Sequence, residues 1–326
     1  MRAMILAAGY GTRLWPLTID RAKPALPFMG RPLVGYVAEY LAGFGCTEVL
    51  VNLHHRPESV RAALGDGSAF GVQLHYIEEP VILGTSGALD NARQFLETET
   101  FIVINGKLAT DIDLHAALRT HRESEALATL VLRPNPTRER FSTVLTRDGM
   151  IQGFGRHPTP DSPNHDEVPL MFTGIQILEP RIFDYIPRGV FSHSTTEVYP
   201  QAIARGERVA AHVSGGMWHE LSTIERYLET SIALLRRERR DVIAGAGSTI
   251  ADGAAVSDAV LWEDVRVEHG ARVRRAVLGA GVRVGRGETI EDAAVVRAEL
   301  VRDAERPPKA LSGEVRGANF VVPVPE

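Results

Sequence analysis

The sequence predicts an α/β chain: a mostly parallel mixed sheet with helices on both faces, followed by a short β-solenoid. Three observations carry this. Short apolar runs alternate with helix-patterned stretches over the first 123 residues, which predicts a largely parallel sheet. The first of these runs, residues 4–8, ends directly on Gly9-Tyr10-Gly11. Residues 250–293 repeat with a fixed period of seventeen, which predicts stacked coils. The 326 residues, 44% hydrophobic and 24% charged, suit a globular chain with a substantial core.

Taken in order, residues 4–8 read as a buried strand. Residues 32–43 read as a helix, with Leu33, Val37 and Leu41 on one side and Gly43 and Gly45 ending it. A strand over 48–53, a helix over 57–64, a strand over 72–77, a helix over 85–95 and an apolar strand over 101–104 follow. Asp113 is a suitable N-cap for a helix running to about Glu123. From 126 to 213 strands dominate, at 126–132, 142–146, 151–154 and 170–178. Residues 156–167, rich in Pro, Asp and His, read as a loop, either a lid or a solvated connection. Helices are expected over 195–205 and 223–239, and the basic run 236–240 suits a helix C-terminus. In the repeat, Ile250, Val267 and Val284 are equivalent, as are Gly253, Gly270 and Gly287, and Ala259, Ala276 and Ala293. A two-layer array of hairpins is the alternative to a solenoid. Residues 303–326 read as an extended, proline-rich tail.

Charge and cysteine content narrow the function. A net charge of −5 without a basic block argues against a general nucleic-acid binder. A single cysteine, Cys46, excludes an internal disulfide and a cysteine metal cluster, so a cytoplasmic location is expected. No apolar run approaches a membrane span, so no membrane partner is expected.

The chemistry concentrates at the N-terminus. Glycines after a strand let the backbone come close to a ligand. Successive N–H groups in such a turn form a concavity for an anion. Arg13 and Lys23 add fixed positive charge, and charge-assisted bonds to phosphate contribute roughly 1.5–3 kcal/mol each. Together these predict a polyphosphate site. The spacing is neither that of a Walker A loop nor G-x-G-x-x-G.

The run Leu6-Ala-Ala-Gly-Tyr-Gly-Thr-Arg-Leu-Trp-Pro-Leu-Thr18, followed by Lys23-Pro24, resembles the signature of the sugar-1-phosphate nucleotidyltransferases. The resemblance extends over most of residues 1–235 and is nearest in look to mannose-1-phosphate guanylyltransferase-like members. It implies a Rossmann-like core and the reaction of an NTP with a sugar 1-phosphate to give an NDP-sugar and pyrophosphate. It also implies Mg²⁺ as cofactor. The repeat is similar to the left-handed parallel β-helix, of hexapeptide type, that follows many such domains. The expected division is 1–240 for the transferase, 241–302 for the β-helix and 303–326 for the tail, with the repeat serving homo-oligomerisation or end-capping. A β-helix acyltransferase is the minor alternative; three coils and His269 alone do not make its active site.

By this resemblance Leu6, Ala8, Gly9, Gly11, Thr12 and Arg13 bind nucleotide, and Arg13 and Lys23 are the catalytic cations. Glu79 and Gly84 are implied as base contacts, within Glu79-Pro-Val-Ile-Leu-Gly84-Thr-Ser-Gly87. A carboxylate can accept from both guanine donors, which favours GTP, with UTP or dTTP open. Ser142, Thr173 and Gly174 correspond to positions lining the sugar. Arg156 and His157 stand where the family has Glu and Lys. Two departures touch the metal. Glu220 stands at an aspartate position, and Lys107, in Asn105-Gly-Lys107, replaces the aspartate that holds Mg²⁺. At ~4 Å and an effective dielectric of ~20, that exchange turns an attraction of roughly 8 kcal/mol toward a dication into a comparable repulsion. An impaired homologue that binds nucleotide or NDP-sugar as a regulatory or scaffold subunit is therefore the alternative function.

Overall fold

A computed structural model describes residues 1–155 and 168–325. The chain divides into two compact units that are not contiguous in sequence. The first comprises Met1–Ala8, Val37–His54 and Gly65–Trp218; the second comprises Gly9–Tyr36, His55–Leu64 and His219–Glu326. The glycine turn thus shares a unit with the repeat region, a grouping that sequence order hides.

The first unit is built on a nine-stranded sheet. Its strands are β1 (Arg2–Leu6), β2 (Glu48–Leu53), β3 (Gln73–Glu78), β4 (Phe101–Asn105), β5 (Ala128–Pro134), β6 (Thr143–Arg147), β7 (Met150–Phe154), β8 (Leu170–Leu178) and β9 (Val209–Val213). The spatial order is β3-β2-β1-β4-β8-β5-β9-β7-β6. The strands from β3 to β4 run parallel, as the alternating pattern predicts. β8 enters antiparallel to both β4 and β5, so beyond β4 the sheet is mixed rather than mostly parallel. Met4, Val103, Leu130 and Leu178 are among the buried residues of its core. Asp113 caps the helix Leu114–Glu123 as expected, its carboxylate accepting from the His115 and Ala116 amides at 2.9 and 3.2 Å. The helix expected over 85–95 is two pieces, Gly84–Asn91 and Arg93–Leu96. The one expected over 195–205 opens with a π-turn, Ser194–Val198, before Tyr199–Ala204.

Buried His121 gives this unit a pH response. Its Nδ1 lies 2.8 Å from the Thr129 hydroxyl and its Nε2 3.0 Å from a Glu179 carboxylate oxygen. The neutral ring satisfies both, donating from Nε2 and accepting at Nδ1. Burial pushes its pKa below the ordinary value, aided by Arg122 and Arg181 and outweighing the pull of Glu179. Below pH ~6.5 the unfolded chain therefore binds more protons at this site than the folded chain. Stability is whole above that pH and is lost as pH falls toward the folded-state pKa. Melting temperature should decline between pH 7 and 5, and His121→Gln, which does not titrate, should flatten the decline. An unaltered slope would remove His121 from the explanation.

In the second unit the repeat forms stacked parallel coils. One sheet holds β10 (Val242–Ala244), β12 (Ala255–Leu261), β14 (Arg272–Leu278) and β16 (Thr289–Arg297); another holds β11 (Thr249–Ile250), β13 (Arg266–Val267) and β15 (Arg283–Val284). Partners are offset by seventeen residues, Val256 facing Val273 and Val273 facing Ile290, which excludes the hairpin array. Gly253, Gly270 and Gly287 turn each coil at φ of 78, 74 and 70°, a conformation that L side chains adopt at a cost of about 1–2 kcal/mol. The expected extended tail is in part a hairpin. β17 (Glu314–Arg316) pairs with β18 (Asn319–Pro323), and β18 lies antiparallel on β16 because Val321 and Val322 are apolar enough to be buried there.

The solenoid also braces the glycine-turn segment. Arg21 pairs with Glu263 at 2.6 Å and lies over the Trp262 ring at 5.1 Å. Trp15 meets Phe320 edge-on at 5.6 Å. Tyr227, from the helix Ile224–Arg237, donates to the Pro27 carbonyl and accepts from Trp262 Nε1 at 3.2 Å.

Candidate functional site

The predicted chemistry lies in two stretches, one in each unit, and each is described by itself. In the second unit, Gly11 takes φ 67° and opens a 3₁₀ turn, Thr12–Leu14. Leu14 N donates to Gly11 O at 2.9 Å, and the Thr18 hydroxyl to the same oxygen at 3.4 Å. The first N–H groups of a turn have no acceptor within it, so those of Gly11, Thr12 and Arg13 suit an anion. Arg13 is exposed. Lys23 opens a second 3₁₀ turn, Lys23–Ala25, and packs against the glycine: a Cβ added at Gly11 would sit 3.0 Å from Lys23 Cβ. The loop thus carries both predicted cations on one short segment.

In the first unit a cavity of about 360 Å³ opens beside the carboxyl ends of β1 and β4. Leu6 and Asn105 are register partners there, and Gly106 N donates to Leu6 O at 2.9 Å. Its polar lining includes Asn105, Lys107, Ser142, Gln176, His193 and Ser194. Phe141, Phe154 and Phe172 supply apolar walls. Hydroxyls and amides between aromatic faces suit a sugar, and the ammonium suits an attached phosphate.

One bulge shapes this cavity. The register of β8 against β5 shifts between Phe172 and Gln176. Within it Gly174 adopts φ 85°, and a Cβ there would lie 2.1 Å from Asn105 Nδ2. Thr173 is buried; its hydroxyl donates to Val131 O at 2.8 Å and its carbonyl accepts from Trp218 Nε1 at 2.9 Å. Its side chain therefore holds the bulge from behind and does not line the cavity. The Gln176 carbonyl is fixed by the Tyr199 hydroxyl.

A second set of bonds holds the cavity's other side. Asn52 accepts from Ala7 N at 2.7 Å and donates to Glu79 Oε1 at 2.6 Å, while Glu79 Oε2 accepts from Leu83 N at 2.9 Å. Glu79 is 2% exposed, so its carboxylate serves as an internal clamp. Gly84 sits with Ser192 O only 2.4 Å from where a Cβ would be. Ser194 N donates to Thr85 Oγ1 at 2.9 Å and Ser192 N to Leu83 O at 3.0 Å. These bonds seat His193 and Ser194 in the wall.

The Nucleotidyl transferase family profile matches residues 2–237, well over half the chain. The chain belongs to the nucleotidyl transferase family. A second profile, GlmU-like C-terminal hexapeptide, matches residues 236–305 and makes the solenoid a left-handed β-helix of that type. A mannose-1-phosphate guanylyltransferase of Mycobacterium tuberculosis is 30% identical over 84% of this chain and 83% of its own. An N-acetylmuramate alpha-1-phosphate uridylyltransferase of Neisseria meningitidis is 36% identical over 70% of this chain and 96% of its own. In fold, the chain is similar to the crystal structure of a "putative glucose-1-phosphate thymidylyltransferase" from Bacillus anthracis in complex with a sucrose. The TM-score is 0.62 at 23% identity, over 76% of this chain and 98% of that one.

Within this family member the sequence reading and the geometry agree unevenly. Leu6, Lys107, Ser142 and Gly174 come together at the cavity. Thr85, from the Gly84-Thr-Ser-Gly87 stretch, joins them, as do Gln176, His193 and Ser194, which no motif announces. Of these three, Gln176 alone had a signal, two residues beyond Gly174 on the same strand. Arg156 and His157 lie outside the described residues. Glu220 closes the short strand Trp218–Glu220 and is half-buried.

The Mg²⁺ that the resemblance implies needs oxygen ligands, chiefly carboxylates. The cavity's described lining has none, and it carries Lys107. Among the described residues no three His, Cys, Asp or Glu side chains are grouped to hold a metal ion. The donor set does not fit the ion. Likewise, among the described residues no helix is long and apolar enough to cross a membrane.

Proposed function

We propose that the chain transfers a nucleotidyl group from an NTP to a sugar 1-phosphate and releases pyrophosphate. The observation that carries this is the cavity, where hydroxyl, amide and aromatic groups surround one ammonium at Lys107. A phosphate oxygen of the sugar 1-phosphate attacks the α-phosphorus in line, so no protein nucleophile is needed; catalysis is positioning and charge neutralisation. Arg13 holds the triphosphate and the charge that develops on pyrophosphate, Lys23 bridges phosphates near the attacked centre, and Gly9 to Thr12 bind through backbone N–H groups. Residues 1–240 act as the transferase, and 241–302 as the β-helix that stabilises its glycine-turn segment. The reaction is proposed to run in the cytoplasm.

The expectation of guanine rested on Glu79, whose oxygens already accept from Asn52 and Leu83. The test therefore offers GTP, UTP, dTTP and ATP side by side, each with mannose, glucose and N-acetylglucosamine 1-phosphates, and measures pyrophosphate. Release with at least one pair supports the reading. Nucleotide binding without release in any pair would favour the scaffold alternative, which the lysine at position 107 keeps in view.

A further inference from the structure

The cavity wall contains a buried pair of polar side chains that the transfer step itself does not use. We propose that Gln176 is a specificity-determining residue: its amide nitrogen donates to one hydroxyl of the sugar 1-phosphate, and Tyr199 is the positioning residue that keeps that donor turned into the cavity. The site thereby selects a sugar oxygenated at that carbon over the corresponding deoxy sugar. This rests on the proposed function and narrows the substrate class of the same site.

The orientation of the amide follows from what lies behind it. Gln176 lines the cavity but is only 3% exposed. Its carbonyl oxygen accepts from the Tyr199 hydroxyl. Tyr199 is fully buried, its ring stacked on the cavity-wall ring of Phe154 at 6.1 Å and 25°. With the amide reversed, its nitrogen would donate to the phenol oxygen, and the phenol proton would be buried without an acceptor, at a cost of about 1–3 kcal/mol. Burial pushes the Tyr199 phenol up, so it stays a donor at ordinary assay pH. The oxygen of Gln176 is thus taken, and its nitrogen, a donor only, is left for the cavity.

The backbone explains why Tyr199 sits there. It follows the π-turn Ser194–Val198, and its N–H donates to Ser194 O. Such turns are frequent at functional sites. Here the turn sets Ser194 and Tyr199 one turn apart on the same wall. Ser194 also lines the cavity, and its hydroxyl is buried without a hydrogen-bond partner among the described residues. Rotation about χ1 toward the cavity breaks no bond of that hydroxyl. Sugar hydroxyls suit both groups, since each can accept from the Gln176 nitrogen or donate to the Ser194 oxygen. A sugar that lacks the hydroxyl leaves a buried donor unpaired, the arrangement that discriminates strongly against deoxy analogues.

The test uses the full-length chain with the NTP and sugar 1-phosphate pair that supports turnover, and with the 2-, 3-, 4- and 6-deoxy analogues of that sugar 1-phosphate. kcat/KM is measured for the natural protein, Gln176→Met, Tyr199→Phe and the double variant. With the natural protein at least one deoxy analogue should be poorer than the parent by roughly 10- to 100-fold, as a buried donor left unpaired implies. Gln176→Met, similar in length but without the donor, should bring the ratio at one carbon to within about threefold of unity and leave the other ratios in place. Tyr199→Phe keeps the ring against Phe154 but lets the amide turn, so it should shrink that same ratio in part. A merely structural Tyr199 would lower the parent and every analogue alike; unmoved ratios in Tyr199→Phe overturn its positioning role. The double variant replaces both partners by apolar groups of similar shape and leaves no phenol unpaired. It should match Gln176→Met, and it decides the question where Gln176→Met fails to fold. No discrimination by the natural protein, or unchanged ratios in the variants at Gln176, overturns the inference and leaves the proposed function standing. Absence of turnover with every pair overturns the proposed function. Calorimetric affinities for mannose, glucose and N-acetylglucosamine 1-phosphates and their deoxy analogues then supply the same ratios, and absence of binding by all of them overturns the inference as well.

Discussion

Arg13→Ala is expected to lower kcat/KM by roughly 10²–10³-fold, the usual cost of removing one donor aimed at developing charge. The side chain is exposed, so no core packing is lost and the melting temperature should not move. The loop backbone is held independently of it, by the Leu14 to Gly11 bond and by Lys23 packed against Gly11. Arg13→Lys should recover part of the rate, because a point charge replaces a planar fork. Steady-state kinetics with melting curves check this. Full activity in the alanine variant would remove the glycine turn from catalysis.

The second large effect is expected at Gly174→Ala. The residue sits at φ 85°, where an L side chain costs about 1–2 kcal/mol. The new Cβ would lie 2.1 Å from Asn105 Nδ2, 2.8 Å from its Cγ and 3.2 Å from its Cβ. A new χ1 rotamer of Asn105 can clear Nδ2 and Cγ, but the contact to its Cβ stays and the two strands must give by a few tenths of an ångström there, so rotamer change and strain add roughly 1–3 kcal/mol. Denaturant unfolding should show the loss. The kinetic signature is selective: KM for the sugar 1-phosphate rises, while nucleotide binding by the loop, which belongs to the other unit, is kept. Equal loss of both affinities would mean that the change acts through general destabilisation and not through the cavity.

Much of this architecture could be read from the chain, for physical reasons that differ by element. Strands such as Glu48–Leu53 and Leu170–Leu178 announce themselves because they are apolar enough to be buried, and the coils because Ile250, Val267 and Val284 repeat. The antiparallel entry of β8 could not be read, since strand direction depends on the route of the connection and not on strand composition. The site divides in the same way. The glycine turn carries its own geometry in sequence, whereas His193 and Ser194 reach the cavity only through bonds to Thr85 and Leu83, more than a hundred residues away along the chain. Glu79, which the resemblance implies as a base contact, is buried with its oxygens on Asn52 and the Leu83 amide, and no local pattern announces that pairing because Asn52 lies on another strand.

A structure that climbs by identical steps contains no instruction to end. Every coil offers the next one the same row of amide and carbonyl groups, seventeen residues on. The strand Asn319–Pro323 answers this by running against the grain of β16, so that no further parallel rung can follow in phase. The length of the column is thus counted in whole rungs. A seventeen-residue duplication within it should be absorbed without disturbing either end. Deleting residues 314–326 should instead leave a self-templating edge, seen as concentration-dependent growth in light scattering. A truncated chain that stays monodisperse would show that the ladder stops for another reason.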